Sequence, residues 1–150
     1  MGWNDFYQRR DALNGVIERG ELSVPEPFDG PTEVLLALHH RWSLQLVGRV
    51  ELAADEDDPV DAVGEAWREA AAANPGLRRL LDEYAGHPAL AAMIREEHRM
   101  LAHATGLADP ADGRTERAAV GAAFVALLRN GPAEPPNRVA RLLRKLAPSA

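Results

Sequence analysis

An all-α fold, a single-domain bundle of about seven helices, is what this sequence predicts, and three observations carry that expectation. Alanine and leucine outnumber valine and isoleucine, and aromatic residues are only 5% of the 150-residue chain, a balance that favours helices over strands. The longest strongly apolar stretch, Thr32 to Asp55, repeats its apolar residues at helical spacing. Proline also recurs directly after a capping residue, at Asp58-Pro59, Asn74-Pro75, His87-Pro88 and Asp109-Pro110. At a first helical position proline's missing N–H costs nothing.

The elements follow in order. Asn4 or Asp5 can cap a first helix within residues 1–20, with Phe6, Leu13, Val16 and Ile17 on its buried face and Gly20 as its stop. Residues 21–31 hold Pro25, Pro27, Gly30 and Pro31 and read as an extended connector, from which Phe28 tucks into the core. The helical core, residues 32–130, opens with the central helix. Leu35, Leu38, Trp42, Leu46 and Val50 share one face, and Leu36, Leu44 and Val47 form a second apolar stripe beside it. A helix apolar on two sides is expected to be central rather than superficial.

Asp58 caps a third helix that turns Val60, Val63, Trp67 and Ala70 inward. A short helix after Asn74 buries Leu77, Leu80, Leu81 and Tyr84. The next, from Pro88 to Leu107, has Leu90, Met93, Ile94, Met100, Leu101 and Ala104 on its apolar face, with Glu97 inside that face. Such a carboxylate needs a partner or marks a gap in the packing. A further helix starts at Asp109-Pro110 and breaks around Gly113; its run Ala118 to Leu128 has no charge and must be surrounded. Gly121 and the alanines there allow a neighbouring backbone to come close. After Gly131-Pro132, residues 135–147 form a C-terminal amphipathic helix, with Val139, Leu142, Leu143 and Leu146 inside and Arg138, Arg141, Arg144 and Lys145 outside.

Charge and composition restrict function. A formal charge of −6 argues against nonspecific nucleic-acid binding, which needs clustered Lys and Arg. The absence of cysteine excludes disulfides and thiolate metal sites and suits a cytoplasmic protein. The N-terminus lacks an apolar signal core, and no run of about 18 apolar residues exists to span a membrane.

Chemical motifs are few. His98 and His103 are five apart and His39 and His40 adjacent, so neither pair chelates from one helix; a site drawn from two helices, such as His39 with Glu97 or His98, stays open. No nucleophile elbow or phosphate-binding glycine loop is present, and neither cofactor nor metal is expected. Trp42, Trp67, Met93 and Met100 can line an adaptable apolar pocket or simply fill the core.

The order of pieces resembles a known family. The stretch FDGPTEVLLALHHRW, through Phe28 and Glu33-Val34-Leu35-Leu36, is similar to the junction where the DNA-binding head of TetR-family regulators meets the ligand-binding body. The segment DPVDAVGEAWREAAAANPGLRRLLDEYAGHPALAAMIREEHRML resembles that body, and AAVGAAFVALLRNG with RVARLLRKL looks like its closing pair of helices. The likeness covers residues 28–147. It departs at the front, where the eleven residues between Gly20 and Thr32 are too few for a helix-turn-helix.

The resemblance implies a non-enzymatic, TetR-like effector-binding or regulatory module that does not bind DNA. An apolar small molecule would sit between the central, Asp58 and Pro88 helices. Trp42, Trp67, Met93 and Met100 would wall it, and His39 and Glu97 would orient it. A homodimer would form through helices 118–130 and 136–147. Two other readings remain: a DinB-like metal-dependent helical enzyme, although this chain lacks the His-x3-His of that group, and a protein–protein adaptor using the C-terminal helix.

Overall fold

The computed structural model describes residues 2–130, and among these the fold is all-helical with no strand. Six α-helices follow in order: α1 (Trp3–Arg19), α2 (Pro31–Ala53), α3 (Pro59–Ala73), α4 (Pro75–Glu83), α5 (Ala91–Thr105) and α6 (Arg114–Asn130). A 3-10 turn, Pro88–Leu90, leads into α5. The expected helix over 135–147 lies outside the described residues.

Local chemistry accounts for most helix ends. The Asp58 carboxylate accepts the Asp61 N–H at 3.2 Å, and Pro59 follows at the first position of α3. Gly20 closes α1 with φ 71°, a left-handed conformation that other residues enter at a cost, and its N–H reaches the Val16 and Ile17 carbonyls. Residues 21–30 contain no helix; the connector turns once, where the Phe28 N–H donates to the Pro25 carbonyl at 2.9 Å, and Phe28 is buried.

Two helix starts and one cap differ from expectation. α1 begins at Trp3, with Gly2 as its cap, less than one turn earlier than Asn4 or Asp5 would set; Asp5 instead sits inside the first turn and accepts the Gly2 N–H at 3.4 Å. Asn74 does not cap α4 with its side chain, which donates to Gln45 and to the Ala70 carbonyl. α6 begins at Arg114 rather than Pro110, because 109–113 is consumed by local bonds: Ala111 N–H to Asp109, Asp109 N–H to Asp112, and Arg117 to the Asp112 and Pro110 carbonyls.

α2 is the central element. It packs most heavily on α3 and also touches α1, α4, the 3-10 turn and α5. Val34, Leu35, Leu38, Trp42, Leu46 and Val50 are buried along it. Removing each such side chain from water stabilises the fold by about 1.5–3 kcal/mol. The second stripe is not part of the core: Leu44 is 65% exposed and Leu36 is exposed too, while Val47 is half-buried. Phe6 of α1 is likewise 58% exposed, so the buried face of α1 is Leu13 and Val16, with Ile17 beside them. The physical reason is that α1 leans on α4 as much as on α2, leaving the flank of α2 open.

The tightest pair is α5 with α6. Gly121 lies so close to α5 that a Cβ there would collide with the carbonyl of His98 and stand 2.7 Å from its Cα. Phe124 and Leu128 then fill the space toward α3. The outer side of α6 is not surrounded by the described residues: Ala119 and Ala126 are exposed.

Candidate functional site

One cleft gathers the buried polar groups. It has a volume of about 270 Å³ and lies among α2, α3, α4, α5 and α6. Of the larger grooves, two, of about 540 Å³ and 910 Å³, run over the outside of α2; the first is rimmed by carboxylates and the second by arginines. The small cleft is the stronger candidate because convergent, partly desolvated polar side chains mark a site better than volume does.

Helix geometry places its components. His39 and Trp42 are one turn apart on the buried face of α2. From α5, Glu97 reaches across to both. The Trp42 indole N–H donates to Glu97 Oε1 at 2.9 Å, and His39 Nε2 lies 3.5 Å from the same oxygen. The other ring nitrogen of His39, Nδ1, is 3.1 Å from the Ser43 hydroxyl, which fixes the ring plane. The His39 and Glu97 side chains are only 5% and 11% exposed, so the carboxylate inside the apolar face of α5 is there because two partners from α2 satisfy it.

Arg78 of α4 lies against this group. Its guanidinium sits 4.4 Å from the centroid of the Trp42 ring and 5.9 Å from that of Trp67, and the two indoles meet edge to face at 5.9 Å. Arg78 Nε donates to Asp82 at 2.9 Å, and Arg129 of α6 grips both oxygens of the same carboxylate while stacking over Trp67 at 5.0 Å. Burial holds the Arg78 guanidinium below its usual range, and the Asp82 and Glu97 charges only partly oppose this. Burial pushes the Asp82 carboxyl up, but the Arg129 hydrogen bonds and both guanidinium charges outweigh it, and the net shift is downward. His98, on the cleft wall, is shifted down by desolvation against the pull of Glu97.

One donor is left over. The Trp67 Nε1–H is buried and has no acceptor among the described groups, though Trp67 lines the cleft. An unpaired buried N–H costs about 1–3 kcal/mol.

Of the six residues expected to form the site, His39, Trp67 and Glu97 line the cleft, and Trp42 sits directly behind Glu97 and Arg78. Met93 and Met100 do not line it. Met100 packs half-buried against the core and Met93 is half-buried elsewhere on α5, because the face of α5 that meets α2 and α6 is the one carrying Ile94, Glu97, His98 and Leu101. Arg78, Asp82 and Arg129 belong to the site but carried no signal in the sequence beyond ordinary helix charges; His98, weighed there only as a possible metal ligand, lines the cleft as well. Among the described residues no three His, Cys, Asp or Glu side chains converge to hold a metal ion.

Fold and site together define an all-α helical domain with a compact polar cleft at the junction of five helices. No protein-family model, curated protein or solved structure matches the chain.

Proposed function

We propose that this protein is a non-enzymatic small-molecule-binding module, a regulatory body of the kind the TetR-family resemblance implies, with the 270 Å³ cleft as its site. The carrying observation is the unpartnered Trp67 N–H in a cleft where Glu97 is taken up by Trp42 and His39, and Asp82 by Arg78 and Arg129. A ligand oxygen that accepts this hydrogen bond recovers the desolvation cost. Leu81, Leu90, Ile94 and Val125 would hold the apolar body of the ligand, and His39 and Glu97 would set its orientation. The cleft volume falls just below the common range for drug-sized ligands, about 300–1,000 Å³, so the ligand is compact, with an apolar part and one acceptor.

A DNA-binding role has no support from residues 21–30, which carry no helix and so no groove-reading pair. The homodimer through helices 118–130 and 136–147 belongs to the same proposal. Its support is the uncharged outer side of α6, exposed at Ala119 and Ala126.

Intrinsic tryptophan fluorescence tests the binding reading, since Trp42 and Trp67 stand at the cleft. Benzamide and benzoate serve as compact acceptor probes. Saturable quenching is expected, and it should vanish in Ala85→Trp, which fills the cleft from an exposed position on its rim. Identical, unsaturable responses in wild type and Ala85→Trp would rule the cleft out. Sedimentation equilibrium tests the dimer; a monomer at high micromolar concentration would remove it.

A further inference from the structure

The groove of about 910 Å³ between α1 and α2 is separate from the cleft and differs from it in chemistry. Its lining runs from Gly2 to Asn14 on α1 and from Glu33 to Gln45 on α2. That is about three turns of each helix, roughly 18 Å. Phe6, Leu36 and Leu44 supply its apolar surface, and all three are exposed. Leu36 and Leu44 are eight residues apart on one face of α2, with His40 between them, so they form a ridge of the kind that another helix packs against.

The rim is basic in an acidic chain. Arg9, Arg10 and Arg41 line the groove, and Glu33 is its one carboxylate. Glu33 is occupied by Arg9 at 2.7 Å and by the Asp29 N–H at 3.1 Å. Arg41 makes no ion pair among the described residues; it donates to Asn14 at 2.6 Å and to the Arg10 carbonyl at 3.4 Å. Arg10 has one ion pair among the described residues, to Asp11 at 3.5 Å, and lies over the Tyr7 ring at 4.8 Å. Burial, and after it the nearby Arg10 charge, hold the Arg41 guanidinium below its ordinary range.

We propose that the α1–α2 groove docks an acidic amphipathic helix of a partner protein, which lays its apolar face on Phe6, Leu36 and Leu44 and places carboxylates at Arg10 and Arg41. Charge selects this occupant. Residues 131–150 of the chain itself carry four cations and one acidic side chain, and a second copy of the groove carries the same excess of arginine. Both would be repelled. The concave shape between two helices suits a helix in a groove better than a flat membrane.

Fluorescence anisotropy on the full chain tests the proposal. The probe is a labelled synthetic helix of about four turns with leucines on one face and glutamates flanking them; a second peptide has lysine for each glutamate. The wild type is expected to bind the glutamate peptide at least about ten-fold tighter, with affinity falling as salt rises. Arg41→Glu should invert that preference, and Leu44→Glu should abolish binding with the helical circular dichroism spectrum intact. Arg10→Glu, on an exposed side chain, gives the same readout should Arg41→Glu unfold the protein. Equal affinity for the two peptides, no saturable binding, or indifference to all three substitutions would overturn the proposal. Co-sedimentation with phosphatidylglycerol vesicles without peptide binding would assign the face to membranes instead, and self-association abolished by Leu44→Glu would assign it to a second copy.

Discussion

The pair α5–α6 and the pair α1–α2 solve the same packing problem in opposite ways. At the first, Gly121 and neighbouring alanines let the backbones almost touch, and Phe124 fills what space remains. At the second, Leu36, Leu44 and Phe6 are large but unburied, and the helices stand apart around a groove. Small side chains thus mark the closest contact here, and large ones the loosest. Apolar content alone does not locate a core; the neighbouring helix has to be within reach.

Substitutions along the two pairs can break that contrast. The largest effect is expected at Gly121→Val, whose side chain has to displace the His98 carbonyl. We expect a loss above about 4 kcal/mol in urea denaturation, or no folded protein at all. A loss within about 1 kcal/mol would mean that the two helices can slide apart, and the contrast would fail. Phe124→Ala, at a fully buried position on the same helix, should cost about 3–5 kcal/mol by the same measurement.

The cleft between the two pairs is intermediate. Glu97→Ala leaves the Trp42 N–H and His39 without their acceptor and should cost about 1–3 kcal/mol, whereas Glu97→Gln keeps an oxygen there and should cost less. Equal losses would show that the carboxylate charge, rather than the hydrogen bond, holds α5 to α2.

Acid should weaken the same region. The Asp82 carboxyl titrates lower when folded, so its stabilisation is complete above the ordinary aspartate value of about 4 and drains away as pH falls through the lower folded value. His98 is also shifted down, so the unfolded chain takes up the proton first, near pH about 6.5, and stability declines from there toward the lower folded value. Both slopes have the same sign. In denaturation followed from neutral to acid pH, His98→Asn should flatten the upper part of the decline and Asp82→Asn the lower part. The smallest effect belongs to the loose pair: Leu44→Ser should change stability by no more than about 0.5 kcal/mol. A loss several times larger would mean that the groove is covered in solution.

Much of this was legible beforehand. Proline after a capping residue marked the starts of α3 and α4 and the turn into α5, although in α4 the Asn74 side chain turned elsewhere. Trp42, Trp67 and Glu97 were each set on an inward face by helical phase and grouped round one pocket by the TetR-family resemblance, and Gly121 was marked by its uncharged, small-residue surroundings. Leu44 and Phe6 were misread because periodicity reports that a face is apolar and says nothing of whether another helix arrives to cover it. Met93 and Met100 failed for a related reason: α5 is turned so that Ile94 and His98 face the cleft. Arg78, Asp82 and Arg129 could not be picked out: Arg78–Asp82 reads as an ordinary pair four residues apart, and Arg129 joins Asp82 from 47 positions away.

Gly121 reaches further than its own crossing point. The backbone it abuts belongs to His98, which borders the cleft, and four residues along α6 Val125 borders it from the other side. The calibre of the cleft is therefore metered by a methyl group that is not there, and whatever enters it has to accept an aperture that α5 and α6 cannot narrow further.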